Sequence, residues 1–229
     1  MRTSVNFAWA VSIALLSLQM LAAQELAPRA YLITPLHANA ITLTYSFYDG
    51  SLEYGVAPNS GATGTYSIPT FSYYHALNFF GRSANIVASL PYGVGNFQGT
   101  APGVEQYLYR SGFVDSTFRF SINLKGGPVM PLQKFLQWKQ KVLLGASLKV
   151  IAPTGQYDPT TLINWGANRW SFKPEFGYSQ RWRNWVVDGY FGVWFFTSNQ
   201  EFWSHNIGYP GNRTQSQKPI GAVEGHPEL

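Results

Sequence analysis

The chain has 229 residues, of which 45% are hydrophobic, 17% aromatic and only 12% charged, and it contains no cysteine. The charged fraction is about half of the roughly 25% that is usual in soluble domains. The lack of cysteine excludes disulfide scaffolds, cysteine-ligated zinc and thiol nucleophiles. The net charge of +5 comes from 16 scattered Lys and Arg residues. Nucleic acid is therefore not expected as a partner, because its binding requires a clustered basic surface.

The first 23 residues have the organisation of a secretory signal peptide. Arg2 precedes a mainly apolar run from Phe7 to Leu18, and the small residues Ala22 and Ala23 follow it. We therefore expect an exported protein, with residues 1–23 as the signal peptide and residues 24–229 as one domain. The alternative is a single N-terminal membrane anchor.

The rest of the chain alternates apolar and polar residues with a period of two. In residues 41–48, the odd positions are Ile41, Leu43, Tyr45 and Phe47, and most even positions are Thr or Ser. Successive side chains of a strand point to opposite faces, so this pattern predicts a β-strand with one apolar face. Further strands are predicted at residues 71–79, 84–90, 112–123, 142–150, 169–179 and 185–195, with the start of another at 219–225. One short helix is possible between Pro131 and Gln140.

Three features favour a membrane-spanning barrel over a soluble sandwich. The predicted strands reach the roughly 9 to 11 residues that a tilted strand needs to cross a bilayer. Aromatic residues concentrate near the strand ends, as they do at both membrane interfaces of outer-membrane barrels. These aromatics are Tyr45, Phe47, Tyr48, Tyr73, Tyr74, Phe79, Phe80, Trp165, Trp170, Trp182, Trp185, Trp194, Phe195 and Phe196.

The third feature is the alternating length of the connections. Those at residues 49–64, 92–110, 152–168 and 197–217 are long, those at 81–83 and 180–184 are tight, and the one at 125–140 is intermediate. Outer-membrane barrels combine short periplasmic turns with longer extracellular loops. With the N-terminus in the periplasm, every long connection falls outside. The sequence therefore predicts an all-β, antiparallel, up-and-down transmembrane β-barrel in the cell outer membrane.

Five segments resemble the outer-membrane transporter-like family called "putative MetA-pathway of phenol degradation". They are Glu25–Tyr31, Leu90–Gly93, Ala152–Tyr157, Asn164–Trp170 and Pro219–His226. The resemblance implies a Gram-negative outer-membrane barrel that passes small aromatic or other apolar compounds. It also implies that outer-membrane lipid and the barrel-assembly machinery are partners. No cofactor is implied.

The chain departs from the family pattern after His226, where family members continue through several more strands. About 7–8 strands are present, so we expect a C-terminally truncated or frame-shifted copy of a longer barrel. The alternative is that Pro219 to Glu228 completes a minimal eight-stranded barrel.

The candidate functional residues are charged side chains predicted to face the interior, where charges can shape a polar pathway and set its selectivity. They are Asp115, Arg119, Lys149, Arg169, Lys173, Glu175 and Asp188. The alternative is that these charges pair across neighbouring strands and only fill the interior. Trp165 and Trp170 are candidates for stacking on an aromatic solute from an outer loop. The alternative for this loop is that it folds over the barrel rim.

Catalysis is not expected. The sequence has no G-x-S-x-G motif, no carboxylate pair at a suitable spacing and no close pair among its 4 His residues. The sequence therefore predicts a channel for small apolar or aromatic compounds, with no enzymatic activity and no bound metal. The alternatives are a structural or adhesive barrel without transport, and a non-functional truncated copy.

Overall fold

The computed structural model describes residues 31, 33–52, 63–99, 107–161, 163–202 and 214–228. The predicted signal peptide, residues 1–23, lies outside the described residues. In these ranges the chain forms nine antiparallel strands and one four-residue helix. Within the described ranges, no helix has the length and apolar character needed to cross a membrane.

The strands follow one another around a single sheet. They are β1 (Asn39–Ser51), β2 (Thr63–Phe79), β3 (Arg82–Gln98), β4 (Tyr107–Phe113), β5 (Ser116–Lys125), β6 (Val142–Ala152), β7 (Ser171–Trp182), β8 (Trp185–Phe196) and β9 (Ile220–Glu228). The helix α1 (Leu132–Phe135) lies within the predicted helical segment, between β5 and β6. The strand order is β1-β2-β3-β5-β6-β7-β8-β9, and β4 pairs with β3.

Strands β4 and β5 occupy one position in the sheet. β4 pairs with residues 92–98 of β3, and β5 pairs with residues 84–89 of the same strand. The pair is one long strand interrupted at Val114 and Asp115. The sequence predicted one strand over 112–123, and the structure begins it earlier, at Tyr107, and divides it at Asp115.

The sheet is curled into a half-barrel. Its edges are β1 and β9, and no pairing joins these two edges within the described residues. The predicted all-β antiparallel barrel fold is confirmed, and it is incomplete as predicted. The strands β2 and β3 have 17 residues each and are longer than the sequence predicted, because their alternation weakens toward the long loops.

The two faces of the sheet differ in chemistry as the alternation predicted. Leu43 is 79% exposed, Phe176 56% and Phe191 54%, all on the convex face. The opposite face buries Ser147, Glu175 and other polar residues. A contiguous apolar surface of this extent is the lipid-facing band of an outer-membrane barrel, and the polar face lines the lumen.

The two ends of the sheet have different connections. Phe80 and Gly81 join β2 to β3 with φ values of 51° and 80°, the backbone of a tight type I′ hairpin. Arg183 and Asn184 join β7 to β8. Residues 126–141, which include α1, join β5 to β6 at the same end, and the chain leaves β1, β3, β6 and β8 at the opposite end. We call these the short-turn end and the long-loop end.

The prediction that the aromatics at strand ends form interface rings is wrong for some of them. Trp182 is 70% exposed and Trp185 45%, as predicted, but Trp194 is only 8% exposed and faces the lumen. Tyr74 also points inward, where its hydroxyl lies 2.5 Å from that of Thr34. The reason is the period of two itself, because two aromatics that are adjacent in a strand must point to opposite faces.

An arginine placed on the lipid face should cost far more than one placed beside it on the lumen face. We expect Leu43→Arg to destabilise the folded protein in lipid vesicles by about 2–4 kcal/mol, the usual cost near the middle of a bilayer. Thr44→Arg, one residue along β1, should cost much less. Urea unfolding followed by tryptophan fluorescence measures both. Equal costs would contradict the assignment of the two faces.

Candidate functional site

The lumen face of the central strands carries a row of cations. Arg119 of β5 is opposite Lys149 of β6, which is opposite Lys173 of β7. All three occupy inward positions of the alternating pattern, so antiparallel pairing places them side by side. We call these three residues the cation row. Sequence reasoning identified each member, whereas their alignment depends on the register.

Glu175 neutralises part of this charge. Its Oε1 lies 3.1 Å from the guanidinium of Arg119, and its Oε2 lies 3.1 Å from the Nζ of Lys173. The side chain of Glu175 is 4% exposed and that of Lys173 is 3% exposed. Charge pairing across strands, the alternative that the sequence left open, is therefore present.

Trp194 of β8 extends the row with an aromatic ring. The Nζ atoms of Lys149 and Lys173 lie 5.2 Å and 5.6 Å from its ring centre. Both distances are within the range of cation–π attraction. The sequence predicts Trp194 as an interface aromatic because it lies near a strand end. Its position in the alternation of β8 instead turns its side chain inward.

A cavity of about 580 Å³ lies over the cation row. It is lined by Tyr48, Thr70, Val87, Ser89, Pro91, Thr117, Arg119, Ser147, Lys149, Lys173 and Glu175. Most of these side chains carry a hydroxyl or a charge, and Tyr48 adds an aromatic face. The cavity can therefore solvate a polar group and contact an apolar one.

Tyr31 lies on the short-turn side of this cavity. Its ring rests on Gly145 and Gly177, which are opposite each other in the sheet, and a Cβ at either glycine would lie within 2.3 Å of the ring. Its hydroxyl donates to Glu175 at 2.9 Å and lies 3.0 Å from the hydroxyl of Ser147. Burial raises the pKa of Tyr31 to about 12, so this hydroxyl stays protonated. No local sequence pattern indicates this contact, because it depends on the pairing of two glycines from different strands.

Asp115 anchors the connection between β6 and β7 to the strand wall. Its Oδ1 accepts the N–H of Gly155 and its Oδ2 accepts the N–H of Ala167, both at 2.8 Å. Asn199, which is 1% exposed, holds the same connection through the carbonyl of Ala167 and the hydroxyl of Tyr157. Both oxygens of the Asp115 carboxylate therefore accept hydrogen bonds from the backbone of this connection.

Four aromatic side chains cluster on the long-loop side of the cavity. Trp165 packs over Gly93, and its ring centre lies 5.9 Å from that of Tyr66 and 5.8 Å from that of Phe97. Tyr66 stacks on Tyr48 with a centroid distance of 4.8 Å. We call Tyr48, Tyr66, Phe97 and Trp165 the loop aromatic cluster. Because Tyr48 also lines the cavity, the cluster adjoins it.

The remaining candidates lie elsewhere. Trp170 is 44% exposed and stacks on Phe172, away from the lumen. Arg169 lies just before β7, with its guanidinium 4.7 Å from the ring centre of Phe196, and burial lowers the pKa of Arg169. Asp188 is 2% exposed and lies near the short-turn end. The seven charged candidates therefore divide between the cation row with Glu175, the loop rim and the short-turn end.

Nothing in the described part of the chain groups three His, Asp or Glu residues closely enough to hold a metal ion. The side chains that line the cavity offer hydrogen bonding, charge and aromatic contact. The residues there can bind and guide a solute.

Comparison with known proteins agrees with this geometry. The model of the family described as "Putative MetA-pathway of phenol degradation" matches residues 44–218. The fold is similar to the crystal structure of an outer membrane channel from Pseudomonas putida F1, with a TM-score of 0.54 and 21% sequence identity. The similarity covers 79% of this chain and 64% of that channel. No curated protein matches the chain in sequence.

The contact between Tyr31 and the glycine floor can be tested by a double-mutant cycle. All three nearest atoms to a Cβ at Gly145 belong to Tyr31. We expect Gly145→Ala to destabilise the protein by about 1–3 kcal/mol through overpacking, and to cost much less in a Tyr31→Ala background. Gly189→Ala is the control, because a Cβ there meets nothing within 4 Å. An unchanged cost in the Tyr31→Ala background would exclude the contact.

The role of Asp115 as a loop anchor predicts a change in protease sensitivity. Asp115→Ala removes the acceptor of two backbone N–H groups, and hydrogen bonds to a charged group each contribute about 1.5–3 kcal/mol. Trypsin cleavage after Arg169 should therefore become about tenfold faster or more. Asp49→Ala is the control, because Asp49 accepts from the exposed Thr65 side chain instead. Equal rates in the two variants would argue against the anchor.

Proposed function

The chain belongs to the family described as "Putative MetA-pathway of phenol degradation", and from this membership and the lumen geometry we propose that it passes small apolar or aromatic compounds across the outer membrane. The fold and the family place the chain in the outer membrane. The similar solved structure is a channel, which agrees with the expectation that this chain is not an enzyme.

The observation that carries the proposal is the cavity between two aromatic contacts. The loop aromatic cluster adjoins it on the long-loop side, and Tyr31 lies against it on the short-turn side. A solute arriving from the loops would first meet the faces of Trp165 and Tyr48. It would then reach the hydroxyl and charged side chains above the cation row.

The lumen face supplies binding and no covalent chemistry. Aromatic faces bind planar apolar solutes through dispersion and ring–ring contact. Ser89, Thr117 and Ser147 offer hydroxyls that can replace water around a polar substituent. Passage requires contacts that favour entry without trapping the solute, and a mixed lining of this kind meets that requirement.

A channel also requires a closed wall. In lipid, each backbone N–H and C=O needs a partner within the protein. The described strands leave β1 and β9 as edges of the sheet. The proposed activity therefore belongs to a state in which both edges are paired.

Conductance across a planar bilayer tests the proposal. We expect the protein to form channels whose current falls when a small aromatic solute such as phenol is added. Thr117→Trp places a bulky ring at a cavity-lining position and should lower the single-channel conductance by about half or more. Phe118→Trp, the next residue of β5, replaces an exposed ring on the lipid face and should leave it unchanged.

The alternative functions give different results in the same experiment. A structural or adhesive barrel would insert into the bilayer without conducting. Conductance that is equal in both Trp variants would show that ions do not pass through this cavity. Either result would contradict the proposed function.

A further inference from the structure

A second cavity, of about 570 Å³, lies at the short-turn end, between the segment that joins β5 to β6 and the end of β7. We propose that it binds amphipathic organic anions, which carry an acidic oxygen group on an apolar body. Its lining shares no residue with the cavity over the cation row. The inference therefore goes beyond the proposed function and concerns a separate site.

Three basic side chains of the lining carry the first step. Lys139 precedes β6, Arg181 lies near the end of β7, and Arg183 lies in the turn to β8. Among the described residues none of the three forms an ion pair, and no acidic residue belongs to the lining. Asp188, which is opposite Ser179 in the register, is 2% exposed and is not part of the lining. Arg and Lys bind carboxylate and phosphate groups through charge-assisted hydrogen bonds.

Three apolar side chains carry the second step. Phe135 and Leu136 belong to the end of α1, and Trp138 follows it. Leu136 is 75% exposed, so an apolar body that covers it would remove this surface from water. A small inorganic anion would use the cations and leave this wall uncovered. A neutral apolar molecule would use the wall and leave the cations without a counter-charge.

The apolar wall is held in place from behind. Phe135 and Trp138 pack against the buried cluster of Ile33, Met130 and Leu143. A wall that is fixed before binding lowers the free energy that must be spent on ordering the site. The volume of about 570 Å³ also lies within the roughly 300–1,000 Å³ that is typical of small-molecule sites.

Hydrogen bonds join the two sides of the cavity. The side-chain amide of Gln140, which is 6% exposed, donates to the hydroxyl of Ser179 in β7. The backbone N–H of Arg181 donates to the carbonyl of Lys141 at 2.8 Å. The segment that carries Lys139 is therefore attached to the strand that carries Arg181, and both cations line one space.

Isothermal titration calorimetry on the full chain in neutral detergent micelles tests the proposal. The probes are decanoate, the neutral decanol of the same chain length, and the short anion acetate. Decanoate should bind about tenfold more tightly than acetate, because acetate lacks the chain that covers the apolar wall. Raising the salt concentration should weaken the binding of decanoate and not that of decanol.

A matched pair of lysine variants tests the contribution of charge. Lys139→Gln should weaken decanoate binding by about tenfold, through the loss of one charge-assisted hydrogen bond, and should leave decanol binding unchanged. Lys218→Gln removes the same charge from an exposed residue just before β9, at the long-loop end, and should change neither. Uptake of the probes by the micelles is the same for every variant, so the differences report the site. Circular dichroism checks that each variant keeps its strand content.

A matched pair of leucine variants tests the apolar wall. Leu136→Ser should weaken decanoate binding by about fivefold and leave acetate binding unchanged, because only the chain contacts this side chain. Leu132→Ser is the control, since Leu132 is 56% exposed on the same helix and does not line the cavity.

An anionic phospholipid offers the same chemistry as a free acid, and nanodiscs distinguish the two sources. If the ligand is a free acid, decanoate should bind equally in discs of phosphatidylcholine and in discs that also contain phosphatidylglycerol. If it is a phospholipid, phosphatidylglycerol should weaken decanoate binding by about tenfold in the unaltered protein and not in Lys139→Gln.

Three results would overturn the proposal. They are decanoate binding that Lys139→Gln leaves unchanged, acetate binding as tight as that of decanoate, and equal effects of the two leucine variants. None of them depends on conductance, so failure of this site is distinct from failure of the channel.

Discussion

The requirement that every backbone hydrogen-bonding group in lipid be paired within the protein underlies the rest of this structure. It produces strands of up to 17 residues and continuous ladders such as that from Asn39 opposite His75 to Ser51 opposite Thr63. Within such ladders the side chains alternate between two faces. One face meets lipid and loses its charges, so the charged residues that remain gather on the other. The low charge of the chain and the dense charges of its lumen therefore have one cause.

Glycines in the strands allow aromatic rings to pack directly against the lumen wall. At Gly145 and Gly177 the lumen face has no side chains, and the ring of Tyr31 lies directly against the backbone. At Gly93 the ring of Trp165 does the same on the long-loop side. Bare backbone beside a large ring recurs at both ends of the cavity. Aromatic rings therefore lie at both ends of the cavity, and each ring packs against glycines of the strands because these residues have no side chain.

The sequence predicted those features that depend on residue spacing alone. The alternation identified the strands, the lipid face and the inward direction of Arg119, Lys149 and Lys173. It could not show that these three align, because alignment depends on register, which no local pattern encodes. The contact of Tyr31 with Glu175 joins residues 144 positions apart and was missed for the same reason. The aromatic residues at the end of β8 predict an interface position for Trp194, whereas the period of two turns its side chain toward the lumen.

A single carboxylate organises the interior around the cation row. Glu175 forms ion pairs with Arg119 and Lys173 and accepts a hydrogen bond from Tyr31. These three partners come from different parts of the chain. Burying cations without an acceptor is costly, so Glu175 is what allows two of them to lie so close to the centre of the lumen. Charge pairing across the strands and the polar lining of the cavity are therefore two consequences of one arrangement.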